Sequence, residues 1–124
     1  MPERTYSESL GENRRPLVWL HGAVKTPPFT AVARFEAGVL LRRLQRGDKM
    51  ALPHVRPMPV LGARCAELRI PDGTVTWRIL YRLDTDAVVI AAVFAKKTQA
   101  TPATILATAK ARLRHHDRVI TGEA

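Results

Sequence analysis

The chain reads as an α+β domain whose core is an antiparallel, meandering sheet of about four strands with helices packed on one face. Three observations predict this. Apolar residues recur at helical spacing between Ala31 and Gly47, two alternating segments flank Pro71-Asp72-Gly73, and an apolar run from Ala87 to Val93 precedes a second helical segment that starts near Thr101-Pro102. A run of strands beside segregated helices argues α+β rather than an alternating α/β chain.

The elements follow in order. Residues 1–15 hold Glu, Ser, Asn and Arg and little to bury, so they are expected to form a flexible arm. Leu17 to His21 is a short strand candidate, ended by the prolines at 27 and 28, which have no N–H to give a ladder. Thr30 is a suitable N-cap for the first helix. Val32, Phe35, Val39, Leu40 and Leu44 supply its apolar spacing, Arg34, Arg42, Arg43 and Arg46 its solvated side, and Gly47 its stop. Residues 48–62, with Pro53, Pro57, Pro59 and Gly62, read as an ordered loop. Strands are expected over 64–70, 74–83 and 87–94, with Asp84-Thr85-Asp86 as the second turn. In the last helix Thr101 is the expected N-cap and Pro102 the first helical residue. Ile105, Leu106, Ala109 and Leu113 form its buried stripe, and Lys110, Arg112 and Arg114 its exposed side. One domain over 16–117 and a flexible tail over 118–124 complete the layout.

Composition bounds the function. The chain has 124 residues, enough for one core, with 46% hydrophobic and 25% charged residues. Twenty Lys and Arg against eleven Asp and Glu give a formal charge of +9, which favours a polyanionic partner: nucleic acid, a ribosome surface or an acidic protein. Cys65 is the single cysteine, so no internal disulfide forms, in keeping with a cytoplasmic location. The first fifteen residues lack the apolar stretch of a signal peptide, and no run approaches the roughly 18 apolar residues that span a bilayer. Four histidines and one cysteine show no metal-ligand spacing, and no Walker, G-x-G-x-x-G or G-x-S-x-G pattern occurs.

The chemistry concentrates on one sheet face. A two-residue type I′ turn at Asp72-Gly73 would pair Ile70 with Val75, Arg69 with Thr76, Leu68 with Trp77 and Glu67 with Arg78. Alternation then collects Ala66, Leu68, Ile70, Val75, Trp77 and Ile79 on a core face, and Glu67, Arg69, Thr76 and Arg78 on the other. Arg82 shares the face of Arg78, and Lys96-Lys97 leave the adjacent strand at its rim. Alone, the lysine pair reads as a solvated strand end and Glu67–Arg78 as a weak surface ion pair. Together, converging cations with fewer carboxylates suit a phosphate group. His54, in Leu52-Pro53-His54-Val55-Arg56-Pro57-Met58, is either a proton donor or acceptor or an ordinary loop histidine. Trp77 and Tyr81 share core parity.

Five fragments in this order resemble the phage-derived Gp49-like group of the RelE/ParE superfamily, which includes HigB-type toxins. They are Leu40-Leu41-Arg42-Arg43-Leu44-Gln45-Arg46-Gly47, Pro53-His54-Val55-Arg56-Pro57-Met58, Glu67-Leu68-Arg69, Trp77-Arg78-Ile79-Leu80-Tyr81, and Phe94-Ala95-Lys96-Lys97-Thr98 followed by Pro102. The resemblance spans roughly residues 16–116. It implies a RelE-like microbial RNase fold with helices against one sheet face and a basic concave surface on the other. It also implies a type II toxin that cleaves mRNA in the ribosomal A site without metal or cofactor, by attack of a 2′-hydroxyl on its own phosphate. The implied partners are a cognate helix-turn-helix antitoxin, the ribosome and mRNA, with no membrane. On this reading Arg69, Arg78, Lys96, Lys97 and His54 are the catalytic candidates, and Arg56, Arg82, Thr98, Arg43 and Arg46 contact RNA. Many relatives place a tyrosine or histidine near the C-terminus at the active site. No aromatic residue follows Thr98 here, which leaves the general base open between His54 and a lysine of depressed pKa. The ParE branch keeps the fold but is implicated in gyrase inhibition, so a non-enzymatic gyrase inhibitor or basic nucleic-acid-binding module is the alternative.

Overall fold

Residues 87–93 are apolar at both strand parities, and a strand of that kind needs cover on both faces. The computed structural model, which describes residues 14–21, 28–96 and 101–122, supplies it. The elements are β1 (Leu17–Trp19), α1 (Ala31–Arg46), β2 (Val55–Pro57), β3 (Cys65–Asp72), β4 (Val75–Leu83), β5 (Val88–Lys96) and α2 (Ala103–Thr121). They build an open five-stranded mixed sheet in the order β1-β5-β4-β3-β2. The α+β class and the β3–β4–β5 meander match the sequence reading; the strand count, the purely antiparallel pairing and the one-sided helices do not. β1 runs parallel to β5, pairing Leu17 with Val88 and Trp19 with Ile90. β2 lies inside the proline-rich stretch read as a loop. Pro57 is tolerable there because β2 is the edge strand, where a missing N–H costs no ladder bond.

The helices take opposite faces. α1 packs Ala33, Ala37, Leu40, Leu41 and Leu44 on Leu68, Ile70, Ile79, Tyr81, Val88 and Ile90. α2 packs Ala109 and Leu113 on Leu80, Val89, Ala91 and Ala92. A bulge in β5, where Leu80 pairs with Ala92 but Tyr81 with Ile90, turns both Ala91 and Ala92 toward the α2 side.

The buried stripe of α1 is rotated from the expected one. Val32 and Phe35 are 78% and 72% exposed. Phe29, just before the helix, takes up the room beside the sheet, with its ring edge-on to Trp77 at 4.8 Å. The small Ala33 and Ala37 then let the helix backbone approach. The Thr30 hydroxyl caps α1 by accepting the Ala33 N–H at 3.2 Å, and it donates to Asp72 at 2.8 Å. The Trp77 indole donates to the same carboxylate at 2.8 Å. Asp72 thus ties the helix start to the β3–β4 hairpin. Gly47 closes α1 with φ of 85°, a left-handed position that suits glycine.

The hairpin pairs Asp72 with Val75, Ile70 with Trp77 and Arg69 with Arg78, two residues away from the expected register. Gly73 and Thr74 form the turn, and Gly73 carries a φ of +66°. A shift of two preserves strand parity, so both faces keep the residues assigned to them. Arg15, the last residue of the expected arm, exchanges hydrogen bonds with Gln45 of α1; residues 1–13 lie outside the described residues. α2 continues through Thr121, into the stretch read as a tail, and begins one residue later than expected, with Pro102 as N-cap.

Candidate functional site

The site is a row of residues that crosses the sheet on its α2 side. β3 places Arg69 directly opposite Arg78, and β4 places Arg78 opposite Phe94. Where the β2–β3 pairing runs out, the His54 carbonyl accepts the Arg69 N–H at 2.8 Å, which holds His54 beside Arg69. Lys96 pairs with Thr76, two residues toward the rim from the Phe94–Arg78 pair. Lys97 and Thr98 lie outside the described residues.

Two guanidinium groups directly across a ladder repel, and such pairs are destabilising without a counter-charge. Glu67 supplies it. Its carboxylate is fully buried; Oε1 accepts Arg78 Nη1 at 3.0 Å and lies 3.9 Å from Arg69 Nε, while Oε2 accepts the Thr101 hydroxyl at 3.3 Å. Thr101, which leads into α2, therefore closes on the Glu67–Arg78 pair, and Arg78 is 2% exposed. The expected open basic concavity is thus partly closed at this pair. Arg69, with 23% of its side chain exposed, is the guanidinium that a ligand can reach, and exposed Arg56 pairs across from Glu67 on the edge strand. His54 is half-buried.

The other candidates are dispersed. Arg82 shares the face but is a clamp: its Nε and Nη2 donate to Asp84 at 2.8 and 3.1 Å, and its Nη1 and Nη2 donate to Asp117 of α2 at 3.1 and 2.7 Å. These bonds raise the Arg82 pKa further and hold the Asp117 carboxyl below its ordinary value. Arg43 and Arg46 sit at the end of α1, on the opposite side of the sheet, and both face Asp48 at 3.5 and 2.8 Å. Tyr81 is 1% exposed, and burial pushes its hydroxyl up to about 12, which removes it as a base near neutrality. Among the described residues no group of three or more His, Cys, Asp or Glu side chains could hold a metal ion.

Sequence reasoning put Glu67 on the right face but gave it no part in the site. The signal was present in the alternation Glu67-x-Arg69 opposite Arg78: one carboxylate amid cations on one strand face. The part of Thr101 had no such signal, because it was read only as a cap.

The arrangement can bind an anion at Arg69, whose guanidinium lies 3.9 Å from a buried carboxylate, and it joins the His54 backbone to the same strand position. Residues 29–114 match the phage-derived protein Gp49-like family (DUF891), and the chain belongs to that family. The family is associated with RelE/ParE-like toxins, and membership is compatible with the toxin of a toxin–antitoxin system. Comparison with curated proteins and with solved structures finds no match. No helix among the described residues is long and apolar enough to cross a membrane.

Proposed function

We propose that this protein is a HigB-type toxin of a type II toxin–antitoxin system, a metal-independent endoribonuclease that cuts mRNA on the ribosome in the cytoplasm. The observation that carries the proposal is the transverse row, in which the His54 backbone accepts the N–H of a partly exposed Arg69 whose guanidinium lies 3.9 Å from buried Glu67. Arg69 contacts the scissile phosphate and stabilises its developing charge. Arg78 acts through Glu67, which it fixes in place. The 2′-oxygen forms a bond to phosphorus, the bond to the 5′-oxygen breaks, and a cyclic phosphate remains. His54, or a lysine at 96 or 97, takes the 2′ proton, and the 5′-oxygen leaves as an alkoxide that takes its proton from water. The ribosome orients the mRNA, which supplies what a sparse site lacks. A cognate helix-turn-helix antitoxin silences the toxin.

A second reading rests on the burial of Arg78: with that guanidinium closed off, the row offers few groups for chemistry, as suits a non-enzymatic gyrase inhibitor or nucleic-acid binder. Mapping mRNA 5′ ends after induction of the wild type and Arg69→Ala separates the two. Codon-linked cuts that vanish in Arg69→Ala support the nuclease; equal growth arrest with no cuts supports the binder.

A further inference from the structure

A second basic cavity lies on the same sheet face, outside the row. It has a volume of about 310 Å³ and is bounded by the Leu61–Cys65 turn on one side and by Lys110, Leu113, Arg114 and Asp117 of α2 on the other, with Arg82 at its floor. Cys65 is four residues along β3 from Arg69, about 13 Å at about 3.3 Å per residue. Arg82 is consumed by Asp84 and Asp117, and Arg64, its side chain 61% exposed, has Asp84 at 3.6 Å. Four cations (Arg64, Arg82, Lys110, Arg114) against two carboxylates (Asp84, Asp117) leave a surplus of two positive charges, which falls on Lys110 and Arg114.

Arg64 is also the non-glycine residue described with positive φ, at 62°, a conformation that costs free energy for a side chain with a Cβ. Its Nε donates to the Leu83 carbonyl at 3.0 Å, which holds the guanidinium at the cavity rim. Lys110, Arg114 and Arg118 follow at intervals of four, about 6 Å of rise each, so the cavity continues into a track of cations along α2. A single small anion has no use for such a track; a strand of linked phosphates does.

We infer that this cavity holds a backbone phosphate of the bound RNA, at a position removed from the one that Arg69 contacts. The inference rests on the reading of the protein as an RNA-directed toxin and adds to it a binding subsite that takes no part in the chemistry. Lys110 and Arg114 neutralise the phosphate, and Arg64 frames it.

The test uses the full chain and a single-stranded RNA with 2′-fluoro in place of 2′-hydroxyl, which cannot be cut. Binding is measured by fluorescence anisotropy over a range of salt for the wild type, for Lys110→Ala/Arg114→Ala, and for Arg42→Ala/Lys49→Ala, whose cations belong to the α1 side. The expected result is a fall of about 1.4 in the slope of log affinity against log salt for the first pair, since each single-strand phosphate contact contributes about 0.7, and no change for the second. Equal falls in both pairs would reduce the effect to net charge and overturn the inference, as would no fall in either. In a parallel arm, inorganic phosphate is titrated against the amide signals of Ala63 and Arg64. Saturation there with an unchanged RNA slope assigns the cavity to free phosphate and overturns it too. Ribosomal mRNA cleavage by the wild type, scored separately, decides the nuclease reading whatever the slopes show.

Discussion

Glu67 and Arg78 meet at 3.0 Å between neighbouring strands, both essentially closed to solvent. Desolvating two charges costs more than an apolar pair of the same size, so the pair is poor evidence of stability. It is strong evidence of dependence: once one partner is buried, the other cannot be lost cheaply.

Glu67→Gln is therefore expected to destabilise the fold by about 3–5 kcal/mol, whereas Glu67→Leu with Arg78→Met is expected to recover most of that loss. Chemical denaturation of the single and double variants checks this. A double variant as weak as Glu67→Gln would show that the site holds the sheet together by more than charge balance.

Removing the Thr30 hydroxyl takes away the cap of α1 and a bond to Asp72 together. Thr30→Ala should cost about 1–2 kcal/mol, read as a lowered thermal midpoint.

The rotated stripe of α1 makes a contrast. Phe35→Ser at an exposed position should change stability by less than about 0.5 kcal/mol, whereas Leu41→Ala should cost about 2–5 kcal/mol. The expected order reverses if Phe35 is the residue that faces the sheet.

The Arg82–Asp117 clamp sets a pH dependence. Its hydrogen bonds hold the Asp117 carboxyl below its unfolded value near 3.9. In that window the unfolded chain binds the proton more readily, so the contribution is complete above about pH 4 and is lost as pH falls through the folded value. Asp117→Asn should flatten this part of the stability profile by lowering the neutral plateau by the same amount, a small one because the carboxylate is nearly half exposed.

Much of this was legible because strand parity is robust. The hairpin turn lies one residue further on than Asp72-Gly73 suggested, yet Glu67, Arg69 and Arg78 share a face, since a shift of two changes no side. The α1 stripe was harder: Val32 and Phe35 fit a helical period as well as Ala33 and Ala37 do, and the contact of Phe29 with Trp77, which lies outside the helix, leaves no mark on that period. β2 was hidden by its prolines, which an edge strand tolerates. The Arg82 clamp depends on Asp117, thirty-five residues away, and no local pattern encodes that contact. The helix on the second sheet face answers the two-sided apolar character of residues 87–93.

The central claim is that Arg69, held by Glu67 beside His54, grips the phosphate that is cut. Its most direct test is the single-turnover cleavage rate of ribosome-bound mRNA by wild type and Arg69→Ala, with folding of both verified by circular dichroism. The account predicts a loss of roughly 10²–10³-fold, the range seen when one preorganised charge-stabilising donor is removed. A folded Arg69→Ala that cuts at the wild-type rate would contradict it.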